Sequence, residues 1–398
     1  MRGLKTRKIS CGINGIIIIF EAIISFIKDL YPDENPVPLH APRFTGNEKK
    51  YLTDCIDSTY VSYIGQYVSR FESHIQTFTG AKYAVAVDSG TAALHIALLL
   101  VGVGSDDEVI TQPLTFVATA NAISYCKAHP VFVDVDRSTL GVDPEQLAEF
   151  LKQYGNLKAD GRCYNLATGR RISACVPMHT FGHPCRIDQV VDICRKYHIP
   201  IVEDAAEALG SFYCGRHVGL FGDIGILSFN GNKPVTTGGG GMIITDNEDI
   251  AKKAKHLTTT AKQPHPWEFN HDCVGYNYRM PNINAAVGCA QMESFSHVLE
   301  NKRQTSRMYH DFFQKLDISF VSEPENAQSN YWLNAIVLKD RQKRDRFLEF
   351  ANSNGVQVRP VWTLMNHLPM YRNCQTTVID NAQWLEDRMV NIPSSVRR

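Results

Sequence analysis

Three short segments of this 398-residue chain carry side chains whose types and spacing could support covalent chemistry. DSGTAAL (88–94) places a Ser-Gly-Thr turn at the start of a helix, where backbone N–H groups and the helix dipole favour a phosphate. VEDAAEALGS (202–211) ends an apolar strand with three acidic side chains, and a buried carboxylate needs a cationic or hydrogen-bonding partner. SFNGNKPVTTGGGG (228–241) places Lys233 before four glycines, and a desolvated lysine can form a Schiff base.

Each segment also has a plain structural interpretation. The Ser-Gly-Thr turn could be an ordinary N-cap, and the acidic residues Glu203, Asp204 and Glu207 could complement a helix dipole. The glycines could form a flexible turn that carries a solvated lysine. In this chain order, however, a phosphate-binding turn, an acid opposite a ring nitrogen and a buried lysine are what a pyridoxal phosphate enzyme requires. The three segments together therefore favour such a site.

The elements that must position these residues follow a regular alternation from about residue 80. Short strand patterns such as YAVAVDSG, HPVFVDVD and PIVEDAAEALG alternate with helical ones such as TAALHIALLLVG and IDQVVDICRKYH. This alternation predicts an α/β fold with a mostly parallel central sheet and helices on both faces. Ligands of such sheets bind beyond the carboxyl ends of the strands, which is where the three segments fall.

We predict three parts of the chain: an unassigned N-terminal extension (1–24), a large domain with an N-terminal helical segment (25–295) and a smaller C-terminal α/β domain (296–398). The basic start followed by IIIIF resembles a signal peptide, but Glu21 interrupts the apolar run and no A-x-A-like site follows. The run is too short to span a bilayer. We predict an amphipathic helix from Ala22, with a membrane-associating helix as the alternative.

The overall composition is that of an ordinary globular protein. Lys plus Arg and Asp plus Glu both number 41, so no charge excess points to nucleic acid. The 11 cysteines include no C-x-x-C pair, which argues against a disulfide framework or zinc ribbon. We therefore expect a cytoplasmic protein with neither a nucleic-acid nor a membrane partner.

Longer motifs carry a specific resemblance. The order DSGTAALHIAL, PLTFVATANAI, FVDVD, PMHTFGHPCRID, EDAAEALGS, LSFNGNKPVTTGGGGMIITDN and GYNYRMPNINAAVGCAQME resembles the DegT/StrS-type nucleotide-sugar aminotransferases, and among them the LegC-like branch. The similarity runs from about Phe26 to the C-terminus. It implies a fold-type I pyridoxal phosphate enzyme that forms a homodimer with active sites at the subunit interface.

The resemblance also implies roles for individual residues. Lys233 would form the internal aldimine and shuttle the proton, Asp204 would pair with the pyridine nitrogen, and Glu207 would lie beside the ring hydroxyl. An aromatic side chain, Phe116, would cover the ring face. The residues implied at the cofactor phosphate are Gly90, Thr91 and Ser228 of the same subunit and Asn277 of the other subunit.

Weaker candidates surround these motifs. His179 and His183 have H-x-x-x-H spacing, but neighbouring glycine and proline argue against a helical zinc pair, and no metal site is predicted. We expect His179 to flank the cleft, with a structural histidine as the alternative. In VRPVWTLMNHLPMY the resemblance implies substrate contacts for Arg359, Trp362 and His367, with core packing as the alternative.

The predicted activity is transfer of an amino group from L-glutamate to a nucleotide-linked keto sugar, expected to be UDP-linked, 4-keto, 6-deoxy and N-acetylated, for surface-glycan synthesis. The alternatives are a sugar dehydratase of the same fold, in which histidine replaces the lysine, and a non-catalytic homologue that binds cofactor or nucleotide sugar. Pro234 departs from the family pattern: it removes a backbone donor and favours extended geometry at Lys233.

Overall fold

The computed structural model describes the backbone of residues 13–398 and the side chains of residues 17–398. The helices are α1 (Ile13–Leu30), α2 (Glu48–Asp57), α3 (Gln66–Thr79), α4 (Gly90–Leu100), α5 (Val117–Tyr125), α6 (Pro144–Tyr154), α7 (Ile187–Lys196), α8 (Glu248–Thr258), α9 (Asn282–Glu293), α10 (Phe295–Gln314), α11 (Arg341–Ser353) and α12 (Asp380–Glu386). The strands are β1 (Tyr83–Val87), β2 (Glu108–Thr111), β3 (His129–Phe132), β4 (Gly155–Leu157), β5 (Cys163–Asn165), β6 (Arg171–Val176), β7 (Val202–Asp204), β8 (Phe212–Tyr213), β9 (Arg216–His217), β10 (Ile224–Ser228), β11 (Gly241–Thr245), β12 (Ser319–Phe320), β13 (Ala327–Gln328), β14 (Asn334–Val337), β15 (Arg359–Pro360) and β16 (Met389–Ile392).

Local signals explain where several helices start. Asp143 accepts a hydrogen bond from the backbone of Glu145 at the start of α6, and Pro144 supplies the fixed φ of a first helical residue. Asn247 caps α8 in the same way, and Asp340 caps α11. Side-chain caps of this kind satisfy backbone donors that the helix leaves open, so short polar residues determine these boundaries.

The central sheet has the strand order β1-β11-β10-β7-β6-β2-β3. Hydrogen bonds between neighbouring strands run continuously from β1 through β11 and β10 to β7, and separately from β6 through β2 to β3. The parallel bridges Cys175–Ile201 and Met178–Asp204 connect these two halves of the sheet. Within this sheet β11 runs antiparallel to both neighbours, and the other strands are parallel to one another. The prediction of a mostly parallel central sheet is therefore confirmed, and the carboxyl ends of β1, β7 and β10 meet at one edge.

A second sheet forms the core of the C-terminal part. Its order is β12-β14-β16-β15, with all neighbouring strands antiparallel. Helix α10 belongs to both parts, because Phe295 and Leu299 at its start pack in the large core, whereas Tyr309 and Phe313 near its end pack on the small sheet. One helix shared by two cores explains why no linker composition marks a boundary.

Helix α1 corrects the prediction for the N-terminal segment. It begins at Ile13 rather than Ala22, and Phe20, Ile23, Ile24 and Ile27 are buried against the small sheet and α11. The segment therefore packs with the C-terminal domain, not with the large one, because its apolar stripe needs the apolar face that this sheet offers. Residues 1–12 of the predicted extension lie outside the described residues. Within the described chain, no helix has the length and apolarity needed to cross a bilayer.

Two isoleucines of α1 provide a matched test of this packing. Ile27 is 0% exposed, whereas Ile18 is 52% exposed. We expect Ile27→Ala to lower the free energy of unfolding by about 2–5 kcal/mol, because it leaves a cavity. Ile18→Ala should change it by less than about 0.5 kcal/mol. Urea unfolding of both variants measures the difference, and equal effects would show that α1 does not pack in this way.

Candidate active site

A cavity of about 330 Å³ lies at the carboxyl ends of the central strands. Its wall combines the starts of α4 and α5, the ends of β7 and β10, and two tryptophans from the C-terminal part of the chain. The predicted residues that line it are Gly90, Thr91, Phe116, Asp204, Glu207, Ser228, Lys233 and Trp362. Residues separated by up to about 270 positions therefore form one wall, and residues from all three chemical segments are among them.

The turn at the start of α4 is built to approach another strand closely. Ser89 caps the helix by accepting a hydrogen bond from the N–H of Ala92 (3.1 Å). A Cβ on Gly90 would lie 3.0 Å from the Cβ of Ser228, so glycine lets the turn and the end of β10 meet. Free helix N–H groups beside hydroxyl side chains form a suitable cradle for a phosphate.

The four glycines at 238–241 have separable roles. Gly238 has a φ of +80°, which favours glycine, whereas a Cβ on Gly239 would meet nothing nearer than 3.9 Å. A Cβ on Gly240 would lie 2.3 Å from Thr237 Oγ1. A Cβ on Gly241 would lie 2.4 Å from the carbonyl oxygen of Ser89. The four glycines therefore let the chain that leads into β11 pass close to the Ser-Gly-Thr turn at the start of α4.

Asp204 ends β7 and points into the cavity. Its carboxylate accepts hydrogen bonds from Thr119 Oγ1 (2.7 Å) and from the N–H of Ala206 (3.2 Å). Burial raises the pKa of Asp204, although Thr119, Ala206 and the charge of Lys233 oppose this effect. A buried carboxylate with only these partners has room for a cationic group, such as a protonated ring nitrogen, in the cavity.

Glu203, the neighbour of Asp204, points away from the cavity and is the hydrogen-bond partner of His179. Its carboxylate accepts hydrogen bonds from His179 Nε2 (3.0 Å) and from the N–H groups of Gly219, Phe221 and Gly222 (2.6–2.7 Å). The N–H of Cys185 lies 3.2 Å from His179 Nδ1, so both ring nitrogens of His179 have partners inside the protein. His179 is fully buried, bonds to Glu203 and does not line the cavity, so its position supports the alternative of a structural histidine over the prediction that it flanks the cleft.

Lys233 lies on the turn after β10. The backbone N–H of Lys233 closes this turn by donating to the carbonyl of Asn230 (3.0 Å). Its Nζ donates to Glu207 Oε1 at 3.1 Å, and only 10% of its side chain is exposed. Burial lowers the pKa of Lys233, while Glu207 opposes this effect. A buried lysine of lowered pKa reaches its nucleophilic amine form at lower pH than an exposed one.

Glu207 shares its two oxygens between Lys233 and the backbone. Oε2 accepts from the N–H of Phe181 (2.9 Å), a residue with a φ of +56°. Such a φ is uncommon for a non-glycine residue, and here it directs a donor at the carboxylate. Burial raises the pKa of Glu207 to about 7.

This pKa predicts a pH-dependent stability. Between its ordinary value of 4.5 and about 7, the folded protein holds a proton on Glu207 that the unfolded chain has lost. Stability from this group is therefore complete below pH 4.5 and is lost as pH rises to about 7. We expect the free energy of unfolding of the wild type to fall by about 3 kcal/mol relative to Glu207→Gln across this window.

Urea unfolding of the cofactor-free protein at pH 4.5, 5.5 and 7 measures this difference. Glu349→Gln, at an exposed position of α11, provides the control and should run parallel to the wild type. Parallel curves for Glu207→Gln and the wild type would contradict the raised pKa.

Aromatic rings close the outer side of the cavity. Phe116 precedes α5, is 49% exposed and lies 6.0 Å from Trp362 between ring centroids. Trp362 also contacts Phe181, at 4.9 Å. An exposed ring on the cavity wall offers a stacking surface for a planar group.

The other predicted residues lie elsewhere. Arg359 is exposed on β15 and donates to Asn352 Oδ1 (3.1 Å), and His367 Nδ1 lies 3.4 Å from a carboxylate oxygen of Glu386. Neither lines the cavity, so their predicted substrate contacts are not supported within one subunit. His183 is buried against Tyr331, also away from the cavity.

Asn277 is exposed and does not line the cavity of its own subunit. Its Oδ1 accepts hydrogen bonds from both Nε and Nη2 of Arg279 (3.0 and 2.7 Å). The guanidinium of Arg279 in turn stacks on the ring of Tyr63 at 3.7 Å. A contact from Asn277 to a second subunit remains a prediction.

Thr119 and Trp332 are among the wall residues that sequence reasoning missed. Thr119 lies three positions after Phe116 on α5, so helical spacing could have pointed to it. Trp332 lies in the segment NYWLNAIVLK of the C-terminal part, directly before β14. No local signal places that segment beside Lys233.

A mostly parallel sheet with a buried lysine, a buried acid and a glycine-lined turn at its carboxyl edge defines a fold-type I pyridoxal phosphate enzyme. Comparison with known proteins makes the class specific. The model of the DegT/DnrJ/EryC1/StrS aminotransferase family matches residues 42–397. The chain belongs to this family.

Similar proteins agree with this assignment. GDP-perosamine synthase of Escherichia coli O157:H7 is 33% identical over 360 residues, covering 90% of this chain and 93% of that protein. EpsN of Bacillus subtilis strain 168, described as a proposed pyridoxal phosphate-dependent aminotransferase, is 35% identical over 334 residues, covering 84% and 83%. The solved structure of DesI in the presence of its TDP-sugar product is 25% identical, with a TM-score of 0.79 over 93% of this chain and 91% of DesI.

The predicted family, enzyme class and fold are thereby confirmed, whereas the LegC-like branch remains a prediction. Aminotransferases of this family use pyridoxal phosphate, and the site residues fit it. Gly90, Thr91 and Ser228 line the cavity at the start of α4, where free helix N–H groups and hydroxyls can bind a phosphate, and Asp204 has a buried carboxylate that a ring nitrogen can meet. Lys233 lines the same cavity.

Proposed function

We propose that this enzyme transfers the amino group of L-glutamate to a nucleotide-linked keto sugar, with a UDP-linked 4-keto-6-deoxy-N-acetylhexosamine as the expected acceptor. The proposal is carried by the position of Lys233, which is buried beside Glu207. The cavity around it is also lined by Asp204 and by the Ser-Gly-Thr turn at the start of α4. A product of this kind would serve amino-sugar and surface-glycan synthesis in the cytoplasm.

The residues have distinct tasks in this proposal. Pyridoxal phosphate, when bound, supplies an aldehyde that accepts an amino group and a ring that withdraws electrons. Gly90, Thr91 and Ser228 would hold its phosphate, and Asp204 would keep its ring nitrogen protonated. Phe116 would cover the ring face.

Lys233 would both bind the aldehyde carbon and carry a proton. As a neutral amine it can take the proton from the α-carbon of the donor, and as an ammonium it can return the proton. Its lowered pKa makes the neutral amine form accessible at a lower pH than in an exposed lysine. Glu207, at 3.1 Å from Nζ, would hold the amine in reach of the cavity and would lie beside the ring hydroxyl.

The acceptor class is supported by the names of two similar proteins. One is a synthase of a GDP-linked compound, and the other is a structure with a TDP-sugar product. Because these names differ in nucleotide, UDP, GDP and TDP forms must be compared directly.

The experiment follows 2-oxoglutarate from L-glutamate with 4-keto-6-deoxy sugars linked to UDP, GDP or TDP, with and without an N-acetyl group. The proposal expects production that depends on the keto sugar and is fastest with the UDP-linked N-acetylated one. Faster turnover with a GDP- or TDP-linked sugar would overturn the acceptor. The absence of 2-oxoglutarate with every sugar would overturn the amino-transfer proposal.

We further propose a homodimer in which Asn277 contacts the cofactor phosphate of the other subunit. Exposed apolar residues beside Asn277 support this arrangement. Tyr60, Val61 and Ile64 are 45–58% exposed, and hydrogen bonds from Asn282 to the carbonyls of Tyr60 and Ser62 hold their segment against the start of α9. Contiguous exposed apolar surface is typical of a protein interface.

A further inference from the structure

The amino group of Lys233 has a second partner besides Glu207. Its Nζ lies 3.5 Å from the centroid of the Trp332 ring, over the face of the indole. Trp332 comes from the segment that precedes β14, and it is only 4% exposed. A cation over an indole face is attracted by the ring quadrupole, most strongly when both groups are desolvated.

Trp332 is held firmly at three points. Its indole N–H donates to the carbonyl of Asn232 (2.7 Å), the residue before Lys233. Its backbone N–H donates to Asn330 Oδ1 (2.8 Å). Its carbonyl accepts from Nζ of Lys302 (3.2 Å), a fully buried lysine that also donates to the carbonyl of Ser394 (2.6 Å).

The two partners of Lys233 are also connected to each other. The side-chain amide of Asn330 donates to the carbonyls of Glu207 (2.8 Å) and Leu209 (2.9 Å), while its oxygen accepts from Trp332. The carboxylate and the indole therefore have a fixed separation, and Lys233 lies between them.

We infer that Trp332 is a positioning residue for Lys233. The indole face of Trp332 holds the amino group of Lys233 and favours its ammonium form, while the indole N–H fixes the turn that carries Lys233. The inference deepens the proposed function, because it rests on the proposed role of Lys233. It assigns to the C-terminal domain a part in preparing the lysine. Burial alone favours the neutral amine of Lys233, whereas the indole face stabilises the ammonium form.

The test measures the titration of Lys233 in the full-length, cofactor-free protein. Acetic anhydride labels neutral amines, and mass spectrometry of the peptide that contains Lys233 gives the labelling midpoint against pH. Exposed Lys252 provides an internal reference. Trp332 is replaced by 5-fluoro- and 5,7-difluorotryptophan, which keep the shape and the N–H but weaken the ring quadrupole. We expect the Lys233 midpoint to fall stepwise, by about half a pH unit with two fluorines, and the Lys252 midpoint to stay unchanged. An unchanged Lys233 midpoint would overturn the inference.

A second pair of variants keeps the test decisive. Trp332→Phe retains an aromatic face, whereas Trp332→Leu has no such face. The midpoint in Trp332→Leu should lie about one pH unit below that in Trp332→Phe, with circular dichroism checking that both fold. Equal midpoints in the folded pair would overturn the inference. Labelling requires no sugar and no turnover, so a missing aminotransferase activity would refute the proposed function without moving these midpoints.

Discussion

Replacing Lys233 by alanine will reduce amino transfer by at least about 10³-fold and will remove the visible absorbance that the bound cofactor gives in the wild type. The reason is that one amino group both bonds to the cofactor and carries the proton, and each task alone contributes orders of magnitude to the rate. Absorbance spectra before and after L-glutamate, together with 2-oxoglutarate formation, measure both effects.

Lys252→Ala provides the control for loss of a lysine. Lys252 is exposed on α8 and pairs with Glu248 at 2.8 Å, so its replacement should leave spectrum and rate unchanged. A Lys233→Ala protein that keeps the visible absorbance would show that another group holds the cofactor. Normal absorbance in the wild type that persists with L-glutamate would favour another donor or the non-catalytic interpretation.

Subunit mixing extends this result to the proposed dimer. Asn277→Ala alone should weaken cofactor binding in both sites of a homodimer. A mixed dimer contains one Asn277→Ala subunit and one Lys233→Ala subunit. The site on the Asn277→Ala subunit has an intact Lys233, and the other subunit supplies it with an intact Asn277. Activity should therefore return to about a quarter of the wild-type value when the two inactive proteins are unfolded together and refolded as a random mixture. No recovery would contradict the shared site.

Gly241→Ala is the second change with a large expected effect. The new Cβ would lie 2.4 Å from the carbonyl oxygen of Ser89 and 2.7 Å from the nitrogen of Gly90, and both are backbone atoms that cannot rotate away. The turn that faces the phosphate must therefore move. We expect a loss of about 1–3 kcal/mol in the free energy of unfolding and a fall of at least roughly tenfold in pyridoxal phosphate affinity.

Gly239→Ala is the matched control from the same run. Its Cβ would meet nothing nearer than the carbonyl of Asp88 at 3.9 Å, so its stability should stay within about 0.5 kcal/mol of the wild type. Urea unfolding and fluorescence titration with pyridoxal phosphate compare the variants. Equal losses for both substitutions would mean that general flexibility of the run, rather than one close approach, explains its glycines.

The sequence by itself determined the features that depend on neighbours in the chain. Strand and helix periodicity, the Ser-Gly-Thr turn and the glycine run lie within single segments, and they predicted the sheet and the edge where Lys233 and Asp204 meet. Long motifs in a fixed order determined the family. These signals are local or ordered along the chain, so they are readable before folding.

Only the tertiary structure decided the features that depend on packing between distant segments. It assigned Glu203 and His179 to a buried pair, because alternation along β7 points one carboxylate into the cavity and its neighbour away. It placed α1 on the small sheet, where that helix finds an apolar face. It brought Trp332 and Lys233 together across 99 positions, because Asn330 donates hydrogen bonds to the carbonyls of Glu207 and Leu209 and Lys302 donates to the carbonyl of Trp332. Such contacts arise from the path of the folded chain, which no single segment encodes.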